Sequence, residues 1–196
     1  MGFKDFPEAE FEQTGGVLRV HSESSVGFYY RDMLTGNQLE DGEWELSWDW
    51  RVLDTSGATQ TNVAGLDDRP VAVHVWINNP RSAGWFKGSL ARLFSVPVPG
   101  HMITYSWGGT EQKGSRFPNP HIPDDGTIQV LRDHSDYGHE WFTETVRFRA
   151  DLLSQYPDIR WRRAYVVVSS DNEDSKGFAT AEVRNLRLRS VPESEK

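Results

Sequence analysis

His74 and Trp76 stand where a side chain could meet a ligand. They alternate with Val71, Val73, Val75 and Ile77, and in a strand that alternation sends the β-branched set to the core and the imidazole and indole to the other face. An aromatic, titratable pair on the non-core face of a long strand predicts a concave ligand surface. A loop or helix laid over the pair is the competing outcome. Glu144 shares the face of Phe142 in the stretch 140–148 and is expected on the same concave side. With His74 it would form an acid–base pair, whereas a salt bridge to Arg147 or Arg149 would make it structural. Tyr105 and Trp107, in phase with Ile103, either fill a ring-rich core or line the groove. Asn119 sits in the Gly- and Pro-rich loop 108–126, a length that is uncommon unless the loop serves a site.

The acidic turn Asp171–Gly177 places Asp171, Glu173 and Ser175 at alternate positions. Those oxygens could hold a structural calcium, against the alternative of a solvated hairpin. An EF-hand is a poor match, because the glycine comes one position late and the flanks read as strands. His134 and His139, with Asp133, Asp136 and Glu140, form the densest set of metal-ligand types, but they contain no helix-borne His-x-x-x-His pair. No cysteine is present, which removes disulfides, thiolate metal sites and a Cys nucleophile. No Gly-x-Ser-x-Gly elbow or phosphate-cradling glycine loop occurs either. No cofactor is expected beyond that calcium.

The elements that must position these residues read as strands. The runs 16–21, 27–31, 44–52, 71–77, 103–107, 127–132, 140–148, 164–168 and 178–189 carry period-two or apolar strand patterns. Trp44, Leu46, Trp48, Trp50 and Val52 share one face. In the last run the apolar phase slips between Val183 and Leu186, which predicts a bulge at Arg184-Asn185. Short helices are expected over 149–156, ending at Pro157, and near 89–94. The result is an all-β chain: a single-domain antiparallel β-sandwich with one or two short helices. Residues 1–10 form a lead-in, 11–189 the domain and 190–196 a charged tail.

Net charge is −8, which argues against a nucleic-acid partner. No apolar run has the length of a membrane span. The N-terminus lacks the apolar stretch of a signal peptide, so the expected location is the cytoplasm or, for an exported mature form, outside it.

Several stretches in order resemble the DUF3047 family: Leu46–Val52, the Asp67-Asp68 pair before a strand, Ile103–Trp107, Pro118-Asn119-Pro120, Trp141–Glu144 with Asp151 beyond, and the turn 171–177. The resemblance covers about Phe11 to Leu188. It implies a jelly-roll, concanavalin-like sandwich similar in outline to carbohydrate-binding modules, with no established substrate. Three functions remain open: a domain that binds a saccharide or similar small polar ring through His74, Trp76, Tyr105, Trp107, Glu144 and Asn119; a small lyase, hydrolase or cyclase using His74 and Glu144; and a structural or assembly protein.

Overall fold

The computed structural model describes residues 8–77 and 100–192. The sequence alternates short apolar strands with turns, and the chain folds as two stacked β-sheets. One has five strands in the order β1 (Glu10–Thr14), β2 (Val17–Glu23), β11 (Phe178–Val191), β4 (Glu43–Thr55) and β9 (Phe142–Val146). The other has six: β3 (Val26–Thr35), β10 (Arg163–Asp171), β5 (Arg69–Ile77), β6 (His101–Trp107), β8 (Gly126–Arg132) and β7 (Arg116–Pro118). Two α-helices, α1 (Gly36–Asp41) and α2 (Phe148–Gln155), and a single 3₁₀ turn at His134–Asp136 complete the described chain. No described helix is long and apolar enough to cross a membrane.

The inner faces meet over rings. Leu46, Trp48, Trp50 and Val52 of β4 are buried against Val71, Val73, Val75 and Ile77 of β5 and Ile103, Tyr105 and Trp107 of β6. Trp48 and Trp50 meet edge to face at 5.4 Å, and each lies tilted against a ring of β6, Trp48 5.8 Å from Tyr105 and Trp50 5.3 Å from Trp107. Such offset and edge contacts suit the ring quadrupole and add to the burial of large apolar area.

The β-sandwich and the helix before Pro157 match expectation. So does the slip in the last strand: β11 shifts register against β4 between Arg184 and Arg187, with Asn185 at φ 53. Two details differ. The pairing of β6 with β8 is parallel, because the chain between them turns through β7 and re-enters from the same end. The lead-in contains the start of β1. The expected helix near 89–94 lies outside the described residues.

The outer face of the six-stranded sheet carries a second, smaller apolar cluster. Trp76, Met102, Tyr165, Val167 and Ile122 are buried there, with Phe28 packed against them. Ile122 comes from the turn between β7 and β8, so that turn lies on the same side as Trp76.

Candidate functional site

The β5–β10 pair ends in an unusual concentration of charge. Arg69 opens β5 opposite Asp171, the last residue of β10. Asp67 and Asp68 directly precede β5, and Glu173 and Asp174 directly follow β10. Antiparallel pairing therefore delivers two acidic turns to one end of the sheet, a consequence of register rather than of local sequence.

Asp67, Asp68, Arg69 and Asp171 are held by partners there. Asp68 is 1% exposed, and its carboxylate accepts the backbone N–H groups of Asp174 at 3.1 Å and Ser175 at 2.7 Å. That clamp shapes the 172–177 turn. Asp67, 2% exposed, accepts the Gly65 N–H at 3.1 Å and faces His121 Nε2 with both oxygens at 3.0 Å. Arg69 donates to the Asp67 carbonyl at 3.1 Å and to Asp171 Oδ2 at 3.4 Å. His121 is brought in by the β7–β8 turn, where Asn119 Oδ1 accepts the His121 N–H at 2.9 Å and the Asn119 N–H donates to the Gly126 carbonyl at 2.8 Å. The His121 side chain remains half-exposed.

The cluster separates proton affinities. Burial pushes the Asp171 carboxyl up to about 7, the neighbouring Asp68, Glu173 and Asp67 charges add to it, and the Arg69 guanidinium only partly offsets them. Glu173 is likewise pushed up to about 7, by burial first and then by Asp174, Asp68 and Asp67. Asp174 moves up for the same reasons. Asp67 goes the other way: burial raises it, but the His121 hydrogen bond and the charges of Arg69 and His121 together hold it below the usual carboxylate range. His121 is raised, chiefly by its hydrogen bond to Asp67. Acids protonated near neutrality thus stand beside an ionised carboxylate, an arrangement that can give and take protons in one place.

The residues singled out from sequence are scattered by comparison. His74 does face away from the core, but it is 1% exposed and Trp76 4%. His74 Nδ1 is 2.9 Å from Thr104 Oγ1 and Nε2 2.7 Å from Ser169 Oγ. Burial, then the nearby Arg69 charge, lowers its proton affinity well below the ordinary histidine value. It is a neutral, hydroxyl-bonded strut, and the expectation of an open imidazole and indole is corrected. Glu144 is corrected too. It pairs opposite the core residue Trp48 and faces between the sheets, accepting Trp50 Nε1 at 3.2 Å and Arg132 Nε at 2.5 Å. The six-stranded sheet therefore lies between Glu144 and His74.

Tyr105 and Trp107 belong to the core rather than to a groove, both at 0% exposure. The Tyr105 hydroxyl donates to Asp151 at 2.7 Å and the Trp107 indole to the Asp133 carbonyl at 3.1 Å. Asn119 is 4% exposed and spends its carbonyl oxygen on the turn. Asp171 and Glu173 lie in the charged cluster. Ser175 instead uses its N–H on Asp68 and accepts the Gly177 N–H at 3.2 Å with its hydroxyl. Among the described residues no group of three or more His, Asp or Glu side chains is placed to hold a metal ion. No local pattern in the sequence links His121 to Asp67, 54 positions away. The only advance signal was the adjacency of Asp67 and Asp68 before a strand.

A family model described as a protein of unknown function, DUF3047, matches residues 5–187. No curated protein matches the sequence. Among solved structures, the xyloglucanase domain of NopAA, a type three effector from Sinorhizobium fredii in complex with cellobiose, is similar with a TM-score of 0.52 and 12% identity, over 95% of this chain and 92% of that one. A structure from a comparison of family 12 glycoside hydrolases is similar with a TM-score of 0.46 and 11% identity, over 93% and 86%. At 12% identity the likeness to the NopAA domain shows the fold alone, a jelly-roll β-sandwich.

Proposed function

Since the chain belongs to the DUF3047 family of unknown function, its activity has to be argued from its geometry, and we propose that it is a saccharide-binding domain. The ligand is held at the end of the six-stranded sheet, around His121, Glu173 and Asp174. One observation carries this reading: a half-exposed imidazole fixed by a buried carboxylate, beside two acidic side chains that reach solvent. Sugar hydroxyls both donate and accept, so they suit a site that offers carboxylate acceptors and an imidazole. The likeness in fold to a domain described as a xyloglucanase bound to cellobiose supports a saccharide as the ring-containing ligand.

The test is calorimetric titration with neutral and acidic oligosaccharides. Binding is expected, weakened at least tenfold in His121→Ala and in Asp174→Asn, and unchanged in Glu144→Gln, which lies between the sheets. Silence across both glycan classes would overturn the reading, as would binding indifferent to His121.

A further inference from the structure

Plain binding does not require the order seen in this cluster. Buried Asp67 puts both oxygens 3.0 Å from His121 Nε2. With Asp67 ionised, that nitrogen carries the proton, and the lone pair of the neutral ring is left on Nδ1. Nδ1 has no hydrogen bond among the described residues, and the ring is 52% exposed. A carboxylate behind an imidazole fixes tautomer and orientation, the arrangement that makes histidine a directed base. Three further polar atoms in the cluster are buried without a partner among the described residues: Arg69 Nε, Asp171 Oδ1 and Glu173 Oε2. The Arg69 side chain is only 7% exposed. Buried polar atoms are almost always satisfied in native proteins, so a guanidinium edge and two carboxyl oxygens left over in one place point to a polar ligand.

Resting on the saccharide reading above, we propose that this end of the sheet hydrolyses neutral glycosides, with Glu173 as general acid, His121 as general base and Asp67 as its positioning residue. In the step, the Glu173 carboxyl gives its proton to the glycosidic oxygen as the bond from that oxygen to the anomeric carbon breaks. A water attacks the anomeric carbon from the opposite side and passes a proton to His121 Nδ1. The resulting imidazolium is stabilised by the Asp67 carboxylate and returns its proton to Glu173 through solvent. One water is consumed, and the single displacement inverts the anomeric centre.

The substrate is neutral because of what surrounds it. Among the described residues the cluster sets Asp67, Asp68, Asp171, Glu173 and Asp174 close together with Arg69 and His121, in a chain of net charge −8. A uronate or sulfated glycan would meet like charge on approach. Burial and neighbouring carboxylates push Glu173 up to about 7, so a useful fraction carries the proton near neutral pH. His121, also raised, accepts one in the same range.

The experiment incubates the full chain with cello-oligosaccharides, xyloglucan, xylan and mannan, with polygalacturonate as an anionic control. Binding is followed by calorimetry and new reducing ends by assay, with the product anomer read by NMR. Cleavage of a neutral glycan with inversion is expected, in a narrow bell-shaped pH profile near neutrality. Removing either proton-transfer group costs about 10²–10⁴-fold in rate, so Glu173→Gln and His121→Asn should lose that much when assayed at saturating glycan. Asp67→Asn should slow turnover and shift the acid limb of the profile, an effect that mere loss of structure would not produce. Circular dichroism confirms that each variant is folded. Binding with no new reducing ends would overturn the hydrolase and leave the binding reading intact. Absence of binding would overturn both. Turnover that survives Glu173→Gln and His121→Asn, or favours polygalacturonate, would also overturn the proposal.

Discussion

His74 and His121 solve opposite problems with the same side chain. His74 lies in the middle of β5, sealed, with both ring nitrogens on hydroxyls. His121 stands on a turn, half-exposed, with one nitrogen on a buried carboxylate and the other unbonded among the described residues. Burial drives the first toward its neutral form, and Asp67 drives the second toward its charged form. A sealed, saturated histidine contributes rigidity; an oriented, half-open one can exchange protons. That contrast is why the proposed site is placed at the sheet's end rather than along its middle.

The largest effect that would sharpen this contrast is on stability. His74→Ala removes a fully buried ring and strands the Thr104 and Ser169 hydroxyls, so urea unfolding should show a loss of about 2–4 kcal/mol. His121→Ala removes little packing but leaves Asp67 short of one hydrogen bond, a loss of about 1 kcal/mol. If His121→Ala proved the more damaging, the division between strut and site would fail.

A smaller effect has the opposite sign. The Glu173 carboxyl is raised in the fold to about 7 from its ordinary 4.5. Its protonated form therefore adds stability that is fully present below about pH 4.5 and lost as pH rises through about 7. Glutamine cannot ionise, so Glu173→Gln should raise the melting temperature at pH 8 and change it little at pH 4. Equal shifts at both pH values would show that the carboxyl is not perturbed.

The finest test is an NMR titration of the two rings. His121 should titrate above 6.5 and move down in Asp67→Asn, whereas His74 should stay neutral well below 6.5. By linkage, the stability from His121 is complete below 6.5 and fades as pH rises through its folded value. That from His74 is present above 6.5 and fades as pH falls through its own. Coincident titration of both rings would erase the comparison.

Much of the fold was legible in the chain because strand parity is local. The alternation in 71–77 put the β-branched set inside, and the phase slip after Val183 marked the bulge that Asn185 occupies. The same parity rule misled at the site. It told which face His74 and Trp76 take, but not whether that face is open. It also grouped Glu144 with them, although Glu144 belongs to the other sheet and turns inward. Short β7 escaped notice because three residues, Arg116–Pro118, carry too little periodicity to register.

The chain by itself settled the class of architecture and which strand faces are apolar, since side-chain direction along a strand follows from backbone geometry within a few residues. Tertiary structure alone decided that Asp67 meets His121, 54 positions away, and that Asp171 comes to rest beside Arg69. Those encounters depend on strand order and register. They are set by how two sheets bury their rings together, and no local pattern encodes which turns that packing will bring to the same end.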